Sequence, residues 1–496
     1  AIHPGYGFLS ESGHFASAVT SAGFDFVGPS AEAIERMGDK AAARRIAEDV
    51  GVPIVPGTRE PVSVAQAPEE AERIGYPLAV KAAFGGGGRG IHVVRRPKGL
   101  QDALERAGRE ALAYFGRPEV YLERYIERAH HVEAQILTDR RGNVWYLGER
   151  DCSLQRRHQK LVEETPSPIV DEDSRARIGE AAVALAEAAD YVNAGTVEFV
   201  MDEDGRFYFL EMNTRLQVEH TVTELATGLD LVALQLRIAL GEEVDIDPQP
   251  RGHAIQCRIN AEDPTRNFLP GPGRLTEYVE PSGPFVRVDS GVSRGREIPG
   301  DYDSLFAKLV VWGEDREQAR KRMLRALGEF RVEGVPTTIP FHRWALETKE
   351  FRAGTHTTTW VERALRDADL ETPPEQPPAV ASSKPGPEQL LIEVDGRRVP
   401  VRIFDERTEL APRPPAPRGG AAGEHVHGVI TAPMQGTIKR VLVELGQPIQ
   451  AGDVLCILEA MKMENHIQSS REGVVSELPI SAEQVVVTGQ TLAVID

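Results

Sequence analysis

A repeated unit at the C-terminal end of the sequence constrains the fold most strongly. Gly436–Glu459 and Gly473–Asp496 align when one is shifted by 37 residues (473 − 436). In this alignment Gly436 falls on Gly473, Gln447 on Gln484, Gly452 on Gly489, Leu455 on Leu492, and Glu459 on Asp496. Both copies are patterned for strands, so they predict one small, quasi-symmetric all-β barrel.

A single lysine lies just after the first copy, where a hairpin must turn. Lys462 is flanked by Met461 and Met463, and it stands 34 residues before the end of the chain (496 − 462). A lysine near a strand edge usually serves solubility. At a turn tip, however, the side chain extends into water, where another enzyme can reach and modify it.

The residues around this lysine resemble a known family. APMQGTI (432–438) followed by EAMKMEN (459–465) is similar to biotinyl carrier domains. The resemblance implies that biotin is attached to Lys462 by a biotin protein ligase. Lipoyl domains share the fold but usually lack the paired methionines, so lipoate and an unmodified barrel remain the alternatives.

Composition excludes some classes of function. The net charge of −19 argues against a protein whose main partner is nucleic acid or an anionic membrane. No apolar run reaches the ~20 residues of a membrane helix, and no signal peptide is visible. The three cysteines are too scattered for a disulfide framework and fit a reducing compartment. We expect a cytoplasmic protein.

A glycine-rich segment between two predicted strands indicates phosphate binding. Leu78–Ala82 presents Lys81, five glycines lie within 85–90, and Ile91–Val94 follows. Glycines let backbone N–H groups approach phosphates closely, and the lysine adds positive charge. The sequence is neither a Walker A loop nor a dinucleotide fingerprint. A flexible linker is the alternative, but linkers rarely lie between two strands.

Two acidic residues lie on a predicted hairpin. Gly195–Met201 and Arg206–Met212 are joined by a turn at 202–205. Glu198 and Glu211 can therefore share a face, which is costly in a core unless a cation lies between them. Hard oxygen ligands beside a triphosphate indicate Mg²⁺, and Asn213 can add an oxygen. Surface ion pairing is the alternative.

A charged segment precedes this hairpin. Residues 149–160 contain Arg150, Arg156, Arg157 and Lys160, although the protein as a whole is acidic. We interpret this segment as a loop that gathers basic side chains around a small anion.

The charged segment, HPGYGFLSES (3–12) and NTRLQVEH (213–220) resemble biotin carboxylases of the ATP-grasp class. The resemblance implies an open α/β N-terminal domain, an ATP-grasp lid and core, and a C-terminal domain. It places nucleotide contacts at Lys40, Lys81, Gly86, Gly87, Gly88, Glu123, Ile126, His131, Gln155 and His158. It places bicarbonate contacts at Lys160, Arg215, Gln217 and Val218, and metal ligands at Glu198, Glu211 and Asn213, for Mg²⁺ or Mn²⁺. Taken alone, Lys40, His131 and Arg258 are unremarkable surface or structural residues.

The same resemblance implies a mechanism. Glu219 deprotonates bicarbonate, Lys160 and Arg215 hold the anion, and Arg258 holds the ureido oxygen of biotin. Two rivals remain: another ATP-grasp ligase, such as half of a carbamoyl phosphate synthetase, and a scaffold that only carries biotin.

Proline-rich spacers suggest the domain division. Residues 371–387 hold six prolines and 411–424 hold four. We predict a partial N-terminal domain (1–36), an ATP-grasp domain (37–243, lid about 53–125), a C-terminal carboxylase domain (244–366), a linker with a small hairpin (367–424, hairpin 388–404) and the carrier (425–496). Ala1-Ile2 reads as the end of a strand, so we expect an upstream unit whose loss impairs solubility and carboxylase activity but leaves biotinylation of Lys462 normal.

Over nearly its whole length the sequence resembles the α subunit of a bacterial acetyl- or propionyl-CoA carboxylase, which acts in fatty-acid synthesis or acyl-CoA metabolism. The resemblance implies a separate carboxyltransferase β subunit and a homo-oligomer formed through the carboxylase part. Methylcrotonyl-CoA, geranyl-CoA and urea carboxylases use similar subunits, so the acceptor stays open.

Overall fold

The computed structural model describes residues 1–82, 91–115, 118–368, 370, 388–394, 397–403, 428–432, 436–460, 463–469, 471–482, 484–486 and 489–496. None of the helices in these ranges is both long and apolar enough to span a bilayer.

The chain begins with three helices, α1 (Gly13–Ser21), α2 (Ala31–Gly38) and α3 (Lys40–Asp49). The sequence also predicts a short strand at 24–27, which is wrong, because only one parallel bridge forms there, between Ile2 and Phe26. A strand needs a partner ladder, and here the partner backbone is limited to Ile2. The sequence also predicts a helix that opens at 37–40, and α3 confirms it, with the Asp39 side chain accepting from the Ala42 N–H at 2.8 Å as its cap.

The glycine-rich segment belongs to a small α/β unit. It contains α4 (Ala67–Ile74), β1 (Leu78–Ala82), β2 (Ile91–Val94), α5 (Leu100–Phe115) and β3 (Val120–Arg124). The strands form an antiparallel sheet in the order β2-β1-β3. Apolar residues of both helices pack on this sheet in one cluster with Leu78, Val80 and Leu122.

A second group of elements builds most of the central sheet. It comprises β4 (His130–Thr138), β5 (Val144–Arg156), β6 (Gln159–Thr165), α6 (Glu172–Ala188), β7 (Asn193–Met201), β8 (Phe207–Asn213), α7 (His220–Thr227) and α8 (Leu231–Ala239). The predicted hairpin of β7 and β8 is confirmed. We predicted a loop for the charged segment at 149–160, and this prediction is wrong. The segment forms the paired ends of β5 and β6. Most of the basic side chains therefore start from strands, and Arg150 is fully buried.

The remaining elements up to residue 368 follow the connection at 240–252. They are β9 (His253–Asn260), β10 (Glu262–Asp263), β11 (Leu269–Pro270), β12 (Gly273–Arg274), β13 (Glu277–Val279), β14 (Val286–Ser290), β15 (Glu297–Ile298), β16 (Leu305–Gly313), α9 (Arg316–Glu329), β17 (Arg331–Glu333), α10 (Ile339–Glu347), α11 (Lys349–Ala353) and α12 (Trp360–Ala364).

One antiparallel sheet of eight strands joins the last two groups, in the order β14-β16-β9-β6-β5-β4-β7-β8. The predicted boundary at 243/244 thus falls in a connection, while β6 and β9 pair directly across it. Side chains from β4 to β9 can therefore meet on one face of a continuous sheet.

The C-terminal repeat forms two four-stranded sheets. After the hairpin of β18 (Glu388–Val394) and β19 (Arg397–Ile403) come β20 (Val429–Thr431), β21 (Gly436–Val441), β22 (Pro448–Ile449), β23 (Val454–Ala460), β24 (Met463–Gln468), β25 (Gly473–Glu477), β26 (Val485–Val486) and β27 (Thr491–Ile495).

The two sheet orders, β20-β27-β25-β22 and β24-β23-β21-β26, are equivalent under the 37-residue shift. The short strands β22 and β26 each pair with the other copy. This exchange explains why the two copies share cores and fold as one unit, as the repeat predicted.

Low pH should weaken the contact between the central sheet and α9. Glu164 is buried and accepts hydrogen bonds from His253 Nε2 and Arg316 Nε, both at 2.7 Å. Burial alone would raise the pKa of Glu164, but these hydrogen bonds lower it from 4.5 to about 2. A depressed carboxyl pKa stabilises the folded state above the unfolded value, and this contribution is lost as pH falls towards 2.

We therefore expect Glu164→Gln to lower the unfolding free energy at neutral pH by on the order of 3 kcal/mol. The thermal midpoint should fall accordingly. The difference between the parent and the variant should shrink between pH 4.5 and 2. A difference that stays constant over that range would contradict the assignment. Differential scanning fluorimetry across the pH series measures it.

Candidate active site

Four register partners form a row across the central sheet. Glu211 on β8 lies opposite Glu198 on β7, Glu198 opposite Glu133 on β4, and Glu133 opposite Arg150 on β5. Side chains alternate along a strand, so register partners share a face. Three adjacent carboxylates repel one another, and the row therefore needs cations around it.

Lys160 supplies one of these cations. Its Nζ donates to Glu133 Oε2 at 2.6 Å, Glu198 Oε1 at 3.0 Å and Glu219 Oε1 at 2.5 Å. Burial by itself would lower the pKa of Lys160, but the three carboxylates hold it well above its ordinary value. The ammonium is thus permanently charged at the centre of the site.

Glu219 is held between two cations. Its second oxygen, Oε2, accepts from Arg258 Nη2 at 3.0 Å, while Arg258 Nε donates to Glu163 at 2.5 Å. Burial would raise the pKa of Glu219, but Lys160, Arg258 and then Arg150 hold it well below its usual range. A buried carboxylate that stays ionised can accept a proton from a bound substrate.

Glu198 is surrounded by polar groups. Its Oε1 accepts from Asn213 Nδ2 and Gln217 Nε2, both at 2.9 Å. His131 Nε2 lies 3.1 Å from its Oε2, and potential metal-binding atoms of His131, Glu133 and Glu198 lie within 4.8 Å of one another. Glu211 is half-buried and pairs with Lys40 at 3.3 Å.

Further predicted residues lie around this centre. Lys81 pairs with the buried Glu123, which also accepts from Arg44 at 2.5 Å. Ile126 is half-buried, just after β3. Gln155 is buried and donates to its own strand, whereas His158 is exposed in the turn between β5 and β6.

The Arg215 side chain is bound from two sides. Its Nη2 donates to Asn213 Oδ1 at 2.9 Å, and its Nε lies 3.2 Å from Glu11. The Val218 carbonyl accepts from Lys308 Nζ at 3.2 Å. Residues 213–219 therefore carry polar contacts from both the N-terminal loop and β16, the second strand of the sheet.

Sequence reasoning missed Glu133, Glu163 and Arg44, and it placed Arg150 among the basic residues around an anion without predicting its burial. A period of two from His131 would have placed Glu133 on the same face. No local signal marks Arg150 as buried, because its partners come from β4, β7 and α7. The predicted Gly86, Gly87, Gly88 and Lys462 lie outside the described residues.

Four family models match the chain in order. Residues 1–34 match "Biotin carboxylase, N-terminal domain", 39–247 "Carbamoyl-phosphate synthase L chain, ATP binding domain", 256–363 "Biotin carboxylase C-terminal domain", and 428–495 "Biotin-requiring enzyme". The flanking models and the biotin-requiring domain argue against half of a carbamoyl phosphate synthetase.

One curated relative matches almost the whole chain. The biotin-dependent acyl-coenzyme A carboxylase alpha3 subunit of Mycobacterium leprae is 44% identical over 99% of this chain and 86% of its own length. The chain belongs to the α subunits of biotin-dependent acyl-CoA carboxylases. It is an ATP-grasp biotin carboxylase with its own biotin carrier, as the motifs predicted, and an α subunit implies a carboxyltransferase partner.

Other relatives match the carboxylase part of the α subunit. The Nostoc biotin carboxylase is 51% identical over 73% of this chain and 82% of its own length. A Campylobacter jejuni biotin carboxylase structure has a TM-score of 0.70 at 43% identity, with 73% and 82% coverage. The Hydrogenobacter thermophilus 2-oxoglutarate carboxylase domain, described as a dimer with MgADP, ADP and bicarbonate, also has 0.70, at 46% identity with 74% and 82% coverage.

Proposed function

We propose that this α subunit uses ATP and bicarbonate to carboxylate biotin carried on its own Lys462, for transfer to acetyl-CoA or propionyl-CoA. The observation that carries this proposal is the ionised carboxylate of Glu219, held between Lys160 and Arg258. The test is ATP hydrolysis that depends on bicarbonate and is stimulated by free biotin. A chain that hydrolyses no ATP under these conditions would be a carrier only.

Glu219 is the general base in this scheme. It removes the proton of bicarbonate, and a bicarbonate oxygen then attacks the γ-phosphorus of ATP while the bond to ADP breaks. The carboxyphosphate that results decomposes to CO₂ and phosphate. Lys160, Arg215, Gln217 and the Val218 backbone surround the anion and hold it in line for attack.

Lysines and a divalent cation balance the phosphate charge. Lys40 and Lys81 approach from α3 and β1, and each already pairs with an acid, Glu211 and Glu123. Oxygen ligands suit Mg²⁺, and Glu198, Glu211 and Asn213 fit because both carboxylates share a face beside the Asn213 side chain. Mg²⁺ or Mn²⁺ would neutralise the terminal phosphates there.

The remaining nucleotide contacts lie around the small sheet. Glu123 and Ile126 meet the adenine edge, while His131, Gln155 and His158 face the phosphate side. The glycines at 85–90, including Gly86, Gly87 and Gly88, join β1 to β2. We assign them the role of a lid that excludes water from the reactive intermediate.

Lys462 is assigned as the biotinylated residue. Ala460 pairs with Met463 at the end of β23 and β24, so residues 461–462 connect two paired strands. When bound, biotin would supply a ureido nitrogen that gives up its N1 proton to the phosphate released from carboxyphosphate and takes up the CO₂. Arg258 holds the ureido oxygen, and its pairing with Glu163 and Glu219 fixes the guanidinium in advance.

The predicted domain limits, a homo-oligomer formed through the carboxylase part, modification by a biotin protein ligase and a cytoplasmic location belong to the same proposal. The order of the four matched regions supports the domain limits, and the Hydrogenobacter domain described as a dimer supports the homo-oligomer.

The acyl acceptor can be tested directly. We expect the α subunit, purified with its carboxyltransferase partner, to incorporate labelled bicarbonate into acetyl-CoA or propionyl-CoA. Methylcrotonyl-CoA and geranyl-CoA serve as competing acceptors in the same assay. Preference for either of these would reject the proposed specificity while leaving the biotin carboxylation intact.

A further inference from the structure

Every N–H of the buried Arg150 side chain donates a hydrogen bond next to the active site. Its Nε donates to Glu133 Oε1 at 2.5 Å, and its Nη1 donates to Gln135 Oε1 at 2.6 Å and Thr223 Oγ1 at 3.0 Å. Its Nη2 donates to Thr196 Oγ1 at 3.1 Å and Gln217 Oε1 at 3.0 Å. A guanidinium has five N–H donors in a fixed plane, so five different side chains take all of them.

Two of these five acceptors lead directly into the site. Glu133 accepts from Arg150 with one oxygen and from Lys160 with the other. Gln217 accepts from Arg150 with its amide oxygen, which leaves its amide nitrogen to donate to Glu198. Arg150 thereby sets the direction of the Gln217 amide and the position of the Lys160 ammonium.

The neighbouring carboxylates explain why a cation is needed at the position of Arg150. Arg150 is the last member of the row formed by Glu211, Glu198 and Glu133, and its side chain is fully buried. It therefore cannot touch solvent, and five protein side chains occupy its donors. Besides its charge, which lowers the pKa of Glu219, it acts on the substrate through the two residues that it orients.

We propose that Arg150 is a positioning residue for bicarbonate, acting through Glu133 and Gln217. The proposal rests on the function proposed above, which assigns the binding of that anion to Gln217 and to Lys160, the lysine that Glu133 holds. Arg150 aligns Gln217 directly and Lys160 through Glu133. The proposed ATP contacts Lys40 on α3 and Lys81 on β1 do not depend on Arg150.

The first test is Arg150→Lys, which keeps the charge but offers three donors from one nitrogen in place of the planar fork. We expect the KM for bicarbonate to rise about tenfold or more, following the loss of two aligned hydrogen bonds, with the KM for ATP changed less than about twofold. A general loss of structure would affect both substrates.

Arg320→Lys is the matched control. Arg320 is also a buried arginine, bound to Glu317 at 2.7 Å and to the Leu346 carbonyl at 3.1 Å, but it lies on α9 away from the site. The Arg320→Lys variant should lower the thermal midpoint, while the KM values for bicarbonate and ATP should change by the same factor or not at all. If Arg150→Lys merely repeats this behaviour, Arg150 is structural and the proposal is wrong.

Thr196→Val keeps the test decisive if Arg150→Lys does not fold. This substitution conserves volume and removes only the acceptor that shares Nη2 with Gln217. We expect the KM for bicarbonate to rise about threefold, in line with one hydrogen bond, and the KM for ATP to stay unchanged. Unchanged bicarbonate KM in Thr196→Val, with Arg150→Lys unfolded or like the control, would overturn the proposal.

The parent protein is measured first. If it shows no bicarbonate-dependent ATP hydrolysis, the proposed function itself fails. If the parent is active and neither variant separates the two KM values, only the role of Arg150 fails.

Discussion

Glu219→Gln is expected to lower bicarbonate-dependent ATP hydrolysis by about 10²–10⁴-fold, the usual contribution of a general base. The amide preserves the shape of the side chain but cannot accept the proton. Lys160 and Arg258 lose one charged partner each, yet the lysine keeps Glu133 and Glu198, and the arginine keeps Glu163. We therefore expect nucleotide affinity to remain nearly intact, as measured by calorimetric titration with MgADP.

Glu211→Gln is the matched comparison, because it makes the same carboxylate-to-amide change on the same face of the sheet. Glu211 pairs with Lys40 and is a proposed metal ligand, so its loss should weaken binding of the magnesium nucleotide itself. Equal loss of nucleotide affinity in both variants would contradict the division of roles between base and metal ligand.

The second large effect concerns the carrier. Lys462→Arg keeps the charge and length of the side chain but cannot form the amide bond to biotin. We expect complete loss of retention by streptavidin and of carboxylation of the acyl-CoA, while free biotin still stimulates ATP hydrolysis by the carboxylase part. Mass spectrometry of the intact chain measures the missing adduct.

Lys439→Arg provides the control within the same domain. Lys439 lies on β21 and pairs with Glu459 at 3.2 Å, next to the strand that leads to Lys462. This variant should be biotinylated like the parent. Streptavidin binding by Lys462→Arg would show that another lysine is modified and that the assignment from the paired methionines is wrong.

The failures of sequence reasoning have a common physical cause. Residues 149–160 were interpreted as a loop that gathers basic side chains around an anion, yet most of them lie on paired strands and Arg150 is buried with a partner for every N–H. Phe26 was expected in a short strand, yet it has a single bridge partner, Ile2. Both burial and strand formation depend on segments distant in the chain.

The sequence by itself determined the features whose physics is local. The turn at 202–205 dictated the hairpin of β7 and β8, and the 37-residue repeat dictated two equivalent strand sets. The family motifs then named most residues near the site. Only the tertiary structure decided which acids surround Lys160, because Glu133, Glu198 and Glu219 come from three separate segments. Strand order and register bring them within hydrogen-bonding distance, and neither is encoded in the spacing of any one motif.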